Sequence, residues 1–327
     1  MPSPRLSPSK VKAAAQKWAN MYKKGWGPPS WSLDSVTSDH WNKRAKLCRV
    51  YAASHADRAE LAAVVSEREP VNIGMTDREY APVGDSGYTR LYRETKRLPP
   101  NFALYMPALM SSKQKQLANP KIVHVMNSIG FAFDSDEQPD YDYFMANFTK
   151  AKKQELRDCV ATALKLAFQC ALDLGLKKIC LCYLGGKSFA IHYKPNQLAY
   201  RDLFYDALER VLTPEVLAAL DEINLLGYDP DADPLELMMQ VAPGFQKVIE
   251  KKGKTCRLLG RIPDILTEDM LFMNAWDPHS VVGNGNANDV SLDGFFGRLS
   301  DMGYMSIPEV NPHLLQNIRF VQPLSPH

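Results

Sequence analysis

The sequence predicts an α/β protein, with a mixed, largely parallel sheet covered by helices on both faces and a helical, irregular extension in front of it. Two observations carry that expectation. From residue 121 onward, apolar runs of strand length alternate with segments of helical period. The runs at 122–126 and 179–183 are apolar at nearly every position, as strands buried on both faces of a parallel sheet are. The spacing therefore places one α/β domain over 121–327 and an extension over 1–120.

The extension comes first. Residues 1–8 are rich in Pro and Ser and are expected to lack regular structure. Ser9 is a suitable cap for a helix to about residue 23, with Ala13, Ala14 and Trp18 on one face, and Gly-Trp-Gly-Pro-Pro at 25–29 ends it. A second helix is expected from near Ser38 to about residue 67, through Leu47, Tyr51, His55, Leu61 and Val65. Trp18, Trp26, Trp31 and Trp41 fall in this region, where aromatic residues usually pack helices onto a core; a partner surface is the alternative. Residues 68–120 read as irregular, an insertion or a continuation of the helical layer within reach of substrate.

The α/β part follows. A strand at 122–126 leads into Asn127-Ser-Ile-Gly-Phe-Ala-Phe133. A helix over 149–174 carries Leu156, Val160, Leu164, Ala167 and Ala171 at helical spacing and stops at Gly175. The strand at 179–183 ends in Leu-Gly-Gly-Lys-Ser-Phe-Ala (184–190). Helices are expected at 200–212, 214–220, 234–240, 245–251 and 292–302, and strands at 223–226, 256–259 and 269–273.

Composition narrows the function classes. Hydrophobic residues make up 45% and charged residues 23%, ordinary globular values, and the net charge of +2 gives no general attraction to nucleic acid. The basic groups at Lys150, Lys152 and Lys153, and at Lys247, Lys251, Lys252 and Lys254, read as solvated helix faces. The six cysteines form no CxxC pair and read as buried free thiols of a reducing compartment; Cys180 and Cys182 would share one face of a strand. The N-terminal residues carry no apolar signal core, and no apolar run reaches membrane-spanning length. The expectation is a cytoplasmic monomer with no membrane or nucleic-acid partner.

In a parallel sheet, ligands bind beyond the carboxyl ends of the strands. Three such ends carry small, polar residues here: 127–133 with Asn127 and Phe131, 184–190 with Gly185, Gly186, Ser188 and Phe189, and 274–297. The third is the most informative. Gly283, Gly285, Gly294 and Gly297 allow close backbone approach, and Asn284, Asn286 and Asn288 supply amide donors and acceptors. A helix is expected next, whose first amides can receive a phosphate. Asp277, Asp289 and Asp293 add carboxylates suited to ribose hydroxyls, a water or a cation rather than to phosphate itself. A long turn with Asn and Asp caps is the structural alternative. Two motifs fail. Gly185-Gly-Lys-Ser188 lacks the earlier glycine of a P-loop, because Leu181 stands there. Gly283-Asn-Gly285 lacks the third glycine and the later acidic residue of a dinucleotide fingerprint. The histidines do not fall at metal-ligand spacing, and His279 is a candidate acid or base.

The stretch Asp269-Met-Leu-Phe-Met-Asn-Ala-Trp-Asp-Pro278 resembles the macrodomain signature, in which an Asp-led strand runs into Asn-Ala-Ala-Asn and then a Gly-rich loop. The resemblance implies that Asp269 holds adenine, that Asn274 faces the ribose beside the scissile bond, and that the Gly283–285 segment wraps the diphosphate. Asp277 stands where the second Asn would be. The helix, strand and Gly/Ser loop over 156–190 are similar to the second phosphate loop of that fold, in reversed chain order. The version with Asn-Ala-Trp-Asp-Pro, Gly-Asn-Gly-Asn and Asp-Gly is most similar to the atypical macrodomain-like ADP-ribosylhydrolases of the MavL type, a Legionella effector group that removes ADP-ribose from arginine, notably on ubiquitin. The resemblance spans about 121–305.

It implies a hydrolase without a bound cofactor, acting on ADP-ribose attached to a protein side chain, with arginine on ubiquitin as the candidate substrate and Asp277, Asp289 and Asp293 as the catalytic carboxylates. Two other functions fit the residues: an ADP-ribose-binding module without catalysis, and an Mg²⁺-dependent nucleotide or phosphate-ester hydrolase.

Overall fold

The structure is a computed structural model that describes residues 7–21, 38–53, 102–110, 121–194, 196–226, 235–259, 267–276, 282, 292, 295–296, 300–306, 310–314, 316–322 and 324. Eight strands form one sheet: β1 (Arg49–Ala52), β2 (Phe102–Met110), β3 (Lys121–Ile129), β4 (Lys178–Leu181), β5 (Glu222–Leu226), β6 (Leu258–Leu259), β7 (Met270–Trp276) and β8 (Ile318–Phe320). Their spatial order is β6-β5-β4-β7-β3-β2-β1-β8. The five strands from β6 to β3 run parallel, β2 is antiparallel to both its neighbours, and β1 and β8 are parallel. The fold is thus α/β with a mixed, mostly parallel sheet.

The helices lie on both faces. One face is covered by α4 (Lys150–Leu174), α5 (Gln197–Val211), α6 (Pro214–Ala219) and α7 (Leu235–Lys251). α4 forms where Thr149 accepts a hydrogen bond from the Lys152 amide at 3.2 Å, and it stops at Gly175, which takes the left-handed φ of 68°. Its buried stripe of Leu156, Val160, Leu164, Ala167 and Ala171 faces Ala103, Tyr105, Met126 and Met273 of the sheet. Each large side chain buried this way contributes about 1.5–3 kcal/mol. The other face is covered by α1 (Pro8–Met21) and α2 (Asp39–Ala45), which bring Val11, Ala15, Trp41 and Ala45. Near the C-terminus, α8 (Met302–Met305), Val310 and Leu314 complete that layer. α3 (Pro139–Phe144) is a short turn of helix after β3. Among the described residues no helix is long and apolar enough to cross a membrane.

Several elements differ from the sequence-based expectation. The helix expected over 38–67 ends at Ala45, and Arg49–Ala52 is a strand, because Val50 and Ala52 pack on one face and Tyr51 on the other. Phe102–Met110, expected to be irregular, is a nine-residue strand between β1 and β3. The boundary at residue 121 therefore does not divide the sheet, since β1 and β2 belong to it. Residues 235–251 form one helix containing Pro243, where a break between two helices was expected. Five of the eleven residues of the helix expected at 292–302 lie outside the described residues, and at its end Ser300 forms an isolated bridge with Met110 before a separate helix begins at Met302.

β2 tolerates Pro107 for a specific reason. β1 pairs only with Phe102–Tyr105, and among the described residues the rest of that edge meets only an isolated bridge between Met110 and Ser300. There the Pro107 carbonyl accepts from Arg44 Nη1 at 3.2 Å, and the Leu109 amide donates to Asp301 Oδ1 at 2.9 Å. The missing proline N–H falls on this flank, where no ladder bond is required.

Five of the six cysteines are buried, Cys256 is half-buried, and none is in a disulfide. Cys180 packs with Phe272 on one face, whereas Cys182, just beyond the end of β4, packs on the other. Burial pushes the Cys182 thiol up to about 12, which makes it a poor nucleophile.

Candidate functional site at the strand ends

Chain order decides where a crevice can form. After β3 the chain crosses to β4 and continues outward to β5 and β6. It then returns to insert β7 between β3 and β4. Strands β2 and β1 extend the sheet the other way. Order reverses at β7, and this switch point is where open α/β sheets bind ligands. The carboxyl ends of β4, β7 and β3 thus lie side by side, and the three polar segments singled out in the sequence leave from adjacent strands.

The segments after β3 and β4 are tied together by the backbone. The Phe133 amide donates to the Phe189 carbonyl at 2.7 Å, and the His192 amide donates to the Phe133 carbonyl at 2.8 Å. Where they cross, a Cβ on Gly130 would lie 3.2 Å from the Gly185 nitrogen, so the two backbones approach more closely than most side chains permit. Gly185 has a φ of 70°, and a Cβ there would stand 2.3 Å from the Tyr200 hydroxyl. That hydroxyl donates to the Leu184 carbonyl at 2.9 Å, so Tyr200 and Gly185 fit together. A Cβ on Gly186 would strike the Tyr183 ring, and the Gly186 amide is already given to the Tyr183 carbonyl.

An aromatic floor supports these segments. Phe131 and Phe133 each meet Phe144 edge-on, with centroids 5.7 and 6.2 Å apart, and Tyr193 meets Tyr200 at 5.2 Å. The buried Asp140 carboxylate accepts from the Ala132 amide at 2.9 Å and pins the turn after β3. Burial pushes the Tyr193 hydroxyl up to about 12 and raises Tyr200 as well, so both remain neutral donors at neutral pH.

On the opposite face of β3 and β7, two asparagines meet in register. Asn127 and Asn274 are partners across the parallel pair, and Asn274 Nδ2 donates to Asn127 Oδ1 at 2.8 Å. Asn127 Nδ2 donates in turn to the Leu104 carbonyl of β2 at 3.1 Å. Both asparagines are fully buried.

The fate of each expected site residue can now be stated. Asn127, Phe131, Asn274, Gly185, Gly186 and Phe189 come together at one end of the sheet. Asn127, Phe131, Asn274, Gly185 and Gly186 are buried floor rather than surface, because their polar atoms and close contacts serve the fold. Phe189 presents 41% of its surface, next to Ile191 at 56% and an exposed His192. Ser188 is in the 3₁₀ turn Lys187–Ala190, and its side chain lies outside the described residues.

Asp269 is not with them. It immediately precedes β7, beside the amino end of β4, and its carboxylate pairs with Lys178 Nζ at 2.6 Å. The hydrogen bond from Lys178 holds this carboxyl below the usual range. A residue that opens a parallel strand lies a full strand length from that strand's carboxyl end, about 20 Å over six residues. The adenine role implied for Asp269 therefore does not fit its position.

Asp277, Asp289, Asp293, Gly283, Asn284, Gly285 and Asn286 lie outside the described residues. Val282 and Phe296, one on each side of the Gly/Asn-rich stretch, are buried in the cluster that contains Phe272 of β7.

The chain matches no protein-family model, and no curated protein matches it.

Sequence reasoning missed Asp140, Tyr200 and the pairing of Asn127 with Asn274. The available signal for the last was one asparagine near the carboxyl end of each of two apolar strands.

Proposed function

We propose that the protein is a macrodomain-like ADP-ribosylhydrolase that removes ADP-ribose from a modified protein side chain, with arginine on ubiquitin as the candidate substrate. The observation that supports this reading most directly is the switch point itself. Adjacent parallel strands β4, β7 and β3 send their polar segments to one end of the sheet, and two of those segments are locked to each other through Phe133 and Phe189.

The close crossing of the backbones at Gly130 and Gly185 holds the two segments against each other beneath a ligand at the strand ends. The exposed Phe189 ring suits the face of a base or sugar. In the reaction, the bond between the anomeric carbon of the proximal ribose and the side-chain nitrogen breaks as a water oxygen bonds to that carbon, and the leaving nitrogen takes a proton. Positive charge builds on the ribose in between, and a carboxylate among Asp277, Asp289 and Asp293 stabilises it or activates the water.

The test has two arms. Calorimetry with ADP-ribose, AMP and NAD measures ligand class, and release of ADP-ribose from an arginine-modified protein measures turnover. Asp→Asn replacement at 277, 289 and 293 should slow turnover by roughly 10²-fold or more for at least one residue while ADP-ribose affinity stays nearly constant. No heat with ADP-ribose would defeat the reading. Binding without turnover would leave a binding module, wild-type turnover in all three variants would remove the catalytic role of this loop, and turnover abolished by a chelator would favour a metal-dependent hydrolase.

A further inference from the structure

Beside the strand ends, an exposed apolar patch meets an acidic turn. Ile191 is exposed, as are Phe189 and His192 on either side of it in the chain. Backbone bonds hold the segment in place, from the Phe133 amide to the Phe189 carbonyl at 2.7 Å and from the His192 amide to the Phe133 carbonyl at 2.8 Å. The Tyr141 ring meets His192 edge-on, with centroids 6.4 Å apart. Phe133 itself is wholly buried against Phe144 and Tyr193, so the patch rests on packed core. Apolar side chains fixed in water in this way are stabilised when a partner covers them.

The turn beside the patch carries the charge. From Asp134 to Asp142 the chain has five carboxylates and no Lys or Arg. Asp140 is buried and accepts from the Ala132 amide. Asp136, Glu137 and Asp142 are exposed and Asp134 is half-buried, and among the described residues none of these four forms an ion pair. Asp134 Oδ1 is enclosed without a hydrogen-bond donor, a cost that a donor from outside relieves. Lys194, on the same face, is turned to the Met145 carbonyl at 3.1 Å and to the Tyr141 ring, and Lys152 pairs with Glu155 at 3.1 Å. Neither answers the charge of the turn.

We propose that this face docks a Lys- or Arg-bearing segment of a protein partner, with an apolar side chain of that segment on Ile191 and its cations against Asp134, Asp136, Glu137 and Asp142. Lys and Arg suit such a face twice over, because their stems cover apolar surface while their heads stay with the carboxylates. On the reading of the strand ends above, the partner is the modified protein, whose side chain reaches the site past this patch. The inference rests on that reading for the partner's identity and adds the chemistry of its surface.

The test uses the full chain and two short labelled peptides, one of Lys, Arg and Leu and one with Glu in place of each Lys and Arg. Fluorescence anisotropy at low salt should show binding of the basic peptide alone, weakening as salt is raised. Asp136→Lys combined with Glu137→Lys, and separately Ile191→Ser, should each weaken it about fivefold or more, while calorimetry gives ADP-ribose affinity within about threefold of wild type. Equal binding of the two peptides, no binding of the basic one, or wild-type peptide affinity in both variants overturns the inference. A parallel loss of ADP-ribose affinity in both variants also overturns it, because the face would then belong to the nucleotide site. Wild-type protein that binds the basic peptide but gives no heat with ADP-ribose overturns the nucleotide reading and supports the docking face.

Discussion

Arg44 and Asp301, 257 residues apart, form a buried ion pair beside the part of β2 that β1 does not cover. Each partner also completes a backbone bond, Arg44 to the Pro107 carbonyl and Asp301 to the Leu109 amide. One pair thereby joins the N-terminal helical layer, the sheet and the chain leading into α8. Removing one partner leaves the other charge buried and alone. Arg44→Met and Asp301→Asn should each cost about 3–5 kcal/mol, read from urea unfolding. Losses below 1 kcal/mol would show that the pair is not a keystone of the fold.

Gly185→Ala should lower stability by about 1–3 kcal/mol, because the position combines a φ of 70° with a hydroxyl 2.3 Å from the new methyl group. The Tyr200 oxygen is part of the obstruction, so the same substitution should cost less in a Tyr200→Phe background. Additive costs in thermal or denaturant unfolding would mean that backbone strain alone is responsible. ADP-ribose binding should fall in Gly185→Ala, since the crossing with Gly130 would open.

Asp269→Ala should leave ADP-ribose affinity unchanged. The carboxylate is exposed at the amino end of β7, where it meets Lys178. Exposed pairs of this kind contribute little to stability, so the melting temperature should barely move. A marked loss of affinity in calorimetry would return Asp269 to the ligand site.

His124 should make the protein less stable in mild acid. Its ring stacks on Tyr105, the Tyr105 hydroxyl lies 2.7 Å from Nδ1, and burial lowers its pKa below the ordinary 6.5. The unfolded chain binds a proton near the ordinary value, whereas the folded chain resists it. The stabilisation is therefore complete above about 6.5 and declines as pH falls from there towards the depressed folded value. His313, lowered mainly by its own burial, acts in the same direction. Unfolding free energies measured from pH 7.5 to 5 should fall less steeply in His124→Gln than in wild type. Parallel curves would assign the slope to other groups.

The sequence by itself determined what depends on neighbours a few residues apart. Thr149 and Gly175 bound α4 because a cap and a left-handed stop are local events. The apolar runs at β3, β4, β5 and β7 mark buried strands because alternate residues meet opposite faces of the sheet and both faces are covered. Those strand ends also located the polar segments, since a parallel strand delivers its loop at a fixed end, and the same rule applied to Asp269 would have put it at the other end. Only the tertiary structure decided what depends on partners far along the chain. Pro107 is harmless in β2 because Arg44 and Asp301 arrive on its flank. Arg49–Ala52 is a strand because β2 and β8 pair with it. Asn127 finds Asn274, 147 residues away, because β7 returns between β3 and β4. Strand register and sheet order arise from contacts between distant segments, and no local pattern of residues encodes which segment will come alongside.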